Sequence, residues 1–233
     1  MLGLIAAAVM PVLFYLLFVY KKDTIKEPIK VLLKCFLGGM LSVLFSLVFS
    51  SPLAAFSSYF ITPESSAFYK AFFQAAIPEE LAKFLVLYWI IWRSHDFDQH
   101  FDGIVYAVFV SLGFAMVENV MYVINGGYSV AVVRAVLSVP GHGFFGVFMG
   151  FYLAIARFRS TFFRRSWNLL LAVLIPVLLH GVFDFLLFYS GYFAQNQALL
   201  FFVFGIFGVF VIVMWKLGLK RIKMLVNLDQ QQY

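Results

Sequence analysis

The sequence predicts an all-α, polytopic integral membrane protein: about seven transmembrane helices in one domain over residues 1–233, with the N-terminus outside and the C-terminus in the cytoplasm. Three observations predict it. Of the 233 residues, 64% are hydrophobic and 12% charged, too little polar surface to cover a soluble domain. The apolar residues form unbroken runs near the ~20 residues that cross a hydrocarbon core of ~30 Å, whereas barrel strands would be short and alternating in polarity. The basic residues gather at alternate ends of those runs, as they do on the cytoplasmic side of membrane proteins.

The first run, Leu2 to Tyr20, has no basic residue ahead of it, exceeds a typical signal h-region and is followed by no small-residue cleavage site, so it reads as a retained helix. The others are Val31 to Ser51, Phe68 to Trp92, Phe101 to Ile124, Tyr128 to Ala156, Trp167 to Tyr189 and Ala198 to Trp215. Of the 17 Lys and Arg residues, all but Lys70, Lys83 and Arg134 lie in or beside the first, third and fifth connections or the C-terminal tail. The remaining connections, "SPLAAFSSYFITPESSA", "NGG" and "SGYFAQNQ", hold none. A net charge of +6 is then accounted for by basic loops on an anionic leaflet, without a nucleic-acid partner. The single cysteine, Cys35, rules out an intrachain disulfide framework.

Ionisable residues inside the runs carry the functional information, because each costs ~2.5–3.5 kcal/mol at the bilayer centre unless sheltered. The third helix carries Glu79, Glu80 and Lys83, the fourth Glu118, the fifth Arg134 and His142, and the sixth His180 and Asp184. The first, second and seventh have none at their centres and read as packing helices. Counted at ~1.5 Å per residue from the outer end, these groups lie roughly 8–20 Å deep, compatible with one cavity opening outward. Phe114 and Glu118, and likewise His180 and Asp184, are four apart and share a helical face. Lys83 is four residues from Glu79 and three from Glu80, so it reaches either, leaving one carboxylate without a local partner. Pro78 before them cannot donate a backbone hydrogen bond and loosens the helix there.

The motifs "EELAK" (79–83), "FDGIVYA" with "GFAMVEN" (101–119), "PGHG" around His142 and "HGVFD" (180–184) resemble, in order, those of the PrsW family of intramembrane proteases, within the superfamily of type II CAAX prenyl proteases and bacteriocin-processing enzymes. The resemblance spans roughly residues 78–184, and the motif-bearing helices run from about 68 to 189. It implies proteolysis in or beside the membrane, with Glu79, Glu80, His142 and His180 as catalytic residues and Lys83, Glu118, Asn119 and Asp184 in support. The implied partners are the bilayer and a membrane-anchored, anti-sigma factor-like protein cut first on its outer part, in a bacterial cytoplasmic membrane.

Peptide hydrolysis needs an activated water, a proton acceptor and a positive group for the oxyanion. Glu79 is the expected base, with Glu80 held by Lys83 or supporting it, although spacing alone leaves either of the pair as a candidate. A divalent metal, zinc foremost, would be taken by His142, His180 and Glu118, a two-histidine, one-carboxylate set that leaves a position for water, with Asp184 orienting a histidine. In a metal-free version the two histidines donate to the oxyanion directly. Other readings stand beside these. The glutamates can be a salt-bridged packing pair, His142 a hydrogen-bonded core residue, and Asp184 the partner of Arg134, itself expected in an ion pair. The loop "SHDFDQHFD" holds His95, Asp96, Asp98, His100 and Asp102 and reads as a solvated, helix-capping segment. At the level of the whole chain, the alternatives are a transporter using Glu79, Glu118 and Asp184 as a relay and a non-catalytic scaffold of the same fold.

Overall fold

The computed structural model describes residues 1–22 and 25–231, and among these there are only helices, turns and connecting segments. The α-helices are α1 (Leu2–Lys22), α2 (Ile29–Ala54), α3 (Pro63–Tyr69), α4 (Ile77–Ile91), α5 (His100–Val133), α6 (Val139–Phe158), α7 (Phe162–Ser190) and α8 (Gln197–Gln230). A π-helical segment, Lys70–Ala76, joins α3 to α4, and a second, Arg134–Ser138, joins α5 to α6. All seven predicted runs are helical. Among the described residues, five helical stretches are long and apolar enough to cross a membrane: 2–22, 29–54, 100–158, 162–193 and 197–230. The stretch 100–158 contains two predicted runs. It reverses at Gly127, whose φ of 75° and ψ of −164° lie where residues with a Cβ rarely go.

Local chemistry sets the ends. Thr62 caps α3 by accepting from the backbone N–H of Ser65, with Pro63 at the first helical position. Asn196 caps α8 through Leu199. Glu64 in α3 accepts from the Tyr189 hydroxyl at 3.0 Å. Its own backbone N–H and that hydroxyl hold its carboxyl below the usual range.

The α5 helix is the core of the bundle. From His100 to Met116 nearly every residue is buried, including Ile104, Val105, Tyr106, Val110 and Leu112. Without a strong hydrophobic drive between helices in lipid, close backbone approach at small residues supplies the packing. A Cβ on Gly39 of α2 would stand 2.0 Å from the Val110 carbonyl oxygen, and one on Gly113 of α5 2.1 Å from that of Phe36. The two glycines thus let α2 and α5 touch backbone to backbone.

Two features depart from the sequence reading. The last helix does not stop near Trp215 but continues to Gln230, burying Leu225 and Asp229. The loop at 94–102 is also less solvated than predicted, since His100 is 2% exposed and Asp102 is fully enclosed. Asp102 does cap, accepting at Oδ2 from the backbone N–H of Gln99 at 2.6 Å and of Asp98 at 3.1 Å. Asp229 reaches across from α8 to the same helix start, accepting from the backbone N–H of His100 (2.9 Å) and Phe101 (2.8 Å) and facing His100 Nδ1 at 2.7 Å. A carboxylate thus meets the otherwise unsatisfied donors and positive end of a long helix. Asp229→Ala is expected to lower stability by ~1–3 kcal/mol, the penalty for stranding buried donors, read as an earlier thermal transition in detergent.

Each π segment ends just before a proline, Pro78 or Pro140. A proline cannot donate to the carbonyl four residues back and its ring crowds that carbonyl. The ladder widens instead, with Ile77 N–H bonding Phe72 O and Val139 N–H bonding Arg134 O, five residues back. Glu79 and His142 follow these widened turns directly, and π-bulges recur at functional sites. Pro176 lies one turn before His180 in α7.

Candidate active site

Four helices deliver the ionisable residues to one place. From α4, Lys83 Nζ lies 2.7 Å from Glu80 Oε1 and 3.4 Å from Glu79 Oε2. Glu80 and Lys83 are fully buried, while 15% of the Glu79 side chain is exposed. From α6, His142 Nδ1 stands 3.2 Å from the same ammonium, and its Nε2 stands 2.8 Å from Glu118 Oε2 of α5. An ammonium only donates, so Nδ1 accepts and Nε2–H donates to the carboxylate. From α7, His180 places Nδ1 2.9 Å from Glu80 Oε1 and Nε2 3.3 Å from Asp184 Oδ2. Phe145 stacks on the His180 ring at 4.8 Å, and Phe114 lies 4.0 Å beneath the Lys83 ammonium.

Behind His142 the network continues. Glu118 Oε2 pairs with Arg134 Nη2 at 3.0 Å, Arg134 Nε donates to Asn119 Oδ1 at 2.9 Å, and Asn119 Nδ2 donates to the Ala8 carbonyl of α1 at 2.6 Å. Arg134 also lies over the Tyr122 ring at 4.3 Å. It therefore partners Glu118, and Asp184 partners His180. A cavity of about 130 Å³ opens beside these groups, lined by Glu118, Arg134, His142, His180 and Asp184 with an apolar wall that includes Phe183 and Leu187.

The donor atoms of Glu79, Glu80, His142 and His180 lie within 4.8 Å of one another. Two imidazoles and two carboxylates are a donor set that zinc accepts. Glu80 Oε2 is buried with no hydrogen-bond partner, which a bound cation would satisfy. Four carboxylates, Glu79, Glu80, Glu118 and Asp184, also outnumber the two fixed cations Lys83 and Arg134. The residues therefore fit a divalent ion. Glu118 is not among the four: the structure groups His142 and His180 with the glutamate pair and sets Glu118 behind His142, where it holds the ring.

A family model described as PrsW family intramembrane metalloprotease matches residues 27–215. The chain belongs to this family. It is similar to Protease PrsW of Oceanobacillus iheyensis (38% identical, 96% of each chain covered), of Bacillus subtilis (35%, all of each chain) and of Clostridioides difficile (34%, 97% of this chain and 92% of that one). No solved structure matches. The chain is thus an intramembrane protease of a bacterial multi-pass membrane protein family, acting on a membrane protein substrate, and the transporter and scaffold alternatives give way. Within this PrsW-family site, sequence reasoning missed Phe145, Tyr122 and the Ala8 carbonyl. The aromatics were lost among 31 Phe and 12 Tyr, and a backbone carbonyl leaves no signal in residue identity.

Proposed function

We propose that this protease makes the first cut in a single-pass, membrane-anchored anti-sigma factor, from the extracytoplasmic side, with Glu79 as general base. The observation that carries the assignment is the inequality of the glutamate pair. Glu80 is fully enclosed, with one oxygen taken by both Lys83 and His180, while Glu79 keeps 15% of its side chain exposed and a single long contact to Lys83. Glu79 is the carboxylate free to take a proton from water and return it to the leaving amine.

The other residues divide the remaining work. Without an ion, Lys83 and His180 fix Glu80 and place positive charge and N–H donors where the oxyanion grows, in a water-poor site where such groups act most strongly. Glu118 holds His142 in the Nε2–H form, and Asp184 takes the outer nitrogen of His180. A divalent ion held by Glu80, His142 and His180, beside the free carboxylate of Glu79, would polarise water and the scissile carbonyl. The substrate and the side of cutting rest on the PrsW resemblance and on the distribution of basic loops, with "SPLAAFSSYFITPESSA" and "SGYFAQNQ" at the outer end.

The test is reconstitution in proteoliposomes with a doubly tagged single-pass anti-sigma factor, mapping the cut by mass spectrometry. Wild type is expected to cut once on the outer side, and His180→Ala not at all. A cut on the cytoplasmic side, or undiminished cutting by His180→Ala, overturns the proposal. Glu118→Ala is expected to slow the initial rate by ~10–100-fold, the usual consequence of losing a group that orients a catalytic histidine.

A further inference from the structure

Lys83 stands where this donor set would hold an ion. Its Nζ lies 2.7 Å from Glu80 Oε1, 3.2 Å from His142 Nδ1 and 3.4 Å from Glu79 Oε2, contacting three of the four clustered residues. An ammonium has three hydrogens and no acceptor, so these three contacts use its whole capacity. The side chain is fully buried, and the remaining side of the ammonium faces the Phe114 ring at 4.0 Å. Nothing here is an incidental surface pair: the ammonium fills the space between the carboxylates and the imidazole.

A divalent ion would need the same lone pairs at bond lengths of ~2.0–2.2 Å. A lone pair on His142 Nδ1 that accepts from Lys83 cannot also bind an ion. Two cations held a few ångströms apart away from water repel far more strongly than in solution. We propose that the Lys83 ammonium and the metal ion are alternative occupants of one position, so that loading displaces the ammonium and Lys83 sets the affinity. The buried carboxylates are then never without a counter-charge, and metal uptake is an exchange of one cation for another. This inference rests on the metal-binding part of the reading above and not on which bond is cut.

The full-length protein in detergent is titrated with Co²⁺ and followed by its visible d–d absorption. Lys83→Met keeps the length of the apolar stem while removing the charge. It is expected to bind Co²⁺ at least ~10-fold more tightly than wild type, because the competitor is gone and the carboxylates remain. Equal or weaker binding by Lys83→Met, or no binding by either protein, overturns the proposal. Should Lys83→Met not fold even with metal present, wild type alone decides. Lys83 is expected to resist an amine-reactive label without metal and to become labelled at saturating Co²⁺, mapped by mass spectrometry, and unchanged protection with metal bound overturns the proposal. Cleavage is not the readout, so failure to cut the anti-sigma factor would count against the proposed function and leave the Co²⁺ result standing.

Discussion

Glu79→Gln is expected to lower the cleavage rate by ~10²–10⁴-fold, the range for removing a general base, with little change in thermal stability. The substitution keeps the size of the side chain and an oxygen that can still accept from Lys83, so only the proton-accepting carboxylate is lost. Glu80→Gln provides the contrast. Glu80 Oε1 accepts from both Lys83 and His180 with no solvent exposure, and removing one partner of a buried charged pair costs ~3–5 kcal/mol. Its loss of activity should come with a lower unfolding temperature. Rates from purified protein in liposomes, paired with thermal unfolding, separate the two. A Glu79→Gln protein that cuts at the wild-type rate would remove Glu79 as the base.

Gly39→Ala and Gly113→Ala are expected to destabilise the bundle by more than the ~1–3 kcal/mol typical of overpacking. Ordinary overpacking is relieved when a side chain changes rotamer. Here the added methyl would stand 2.0 Å or 2.1 Å from a carbonyl oxygen of the facing helix, so α2 and α5 must separate as whole backbones. Because α5 carries Glu118 and Asn119, cutting should fall together with stability. Gly205→Ala and Gly208→Ala in α8 are the controls, since a Cβ at either meets nothing within 4 Å. Unfolding temperatures in a common detergent check the contrast, and equal behaviour of all four variants would contradict it.

Much of this arrangement was legible in the sequence because membrane burial makes charge conspicuous. Glu79, Glu80, Lys83, Glu118, His142, His180 and Asp184 stood out as buried ionisable residues, and the spacing of Lys83 to both glutamates and of His180 to Asp184 returns as 2.7, 3.4 and 3.3 Å contacts. Spacing within one helix is reliable because the 3.6-residue period is fixed. Between helices it says nothing: the sequence groups Glu118 with the two histidines, and the structure brings Glu79 and Glu80 within 4.8 Å of them, with Glu118 on His142 Nε2. The α8 extension was missed for another reason. Past Trp215, Lys216, Lys220, Arg221 and Lys223 end the apolar run, yet the helix goes on as a half-buried limb, with Arg221 over the Phe151 ring at 4.6 Å.

The hydrogen bond from Asn119 to the Ala8 carbonyl gives α1 a part in the chemistry that no side chain records. The line of contacts running from His142 through Glu118, Arg134 and Asn119 ends on a main-chain oxygen. A main-chain oxygen is present whatever residue is encoded. Ala8 itself is fully buried, so its size is constrained by packing while its contribution to the site passes through an atom common to all twenty amino acids. Scanning α1 by single substitutions would therefore return only packing effects. Inserting or deleting one residue between Ala8 and Lys22 would instead rotate and shift the Ala8 carbonyl relative to Asn119, unseating the same line of contacts without altering any residue it contains.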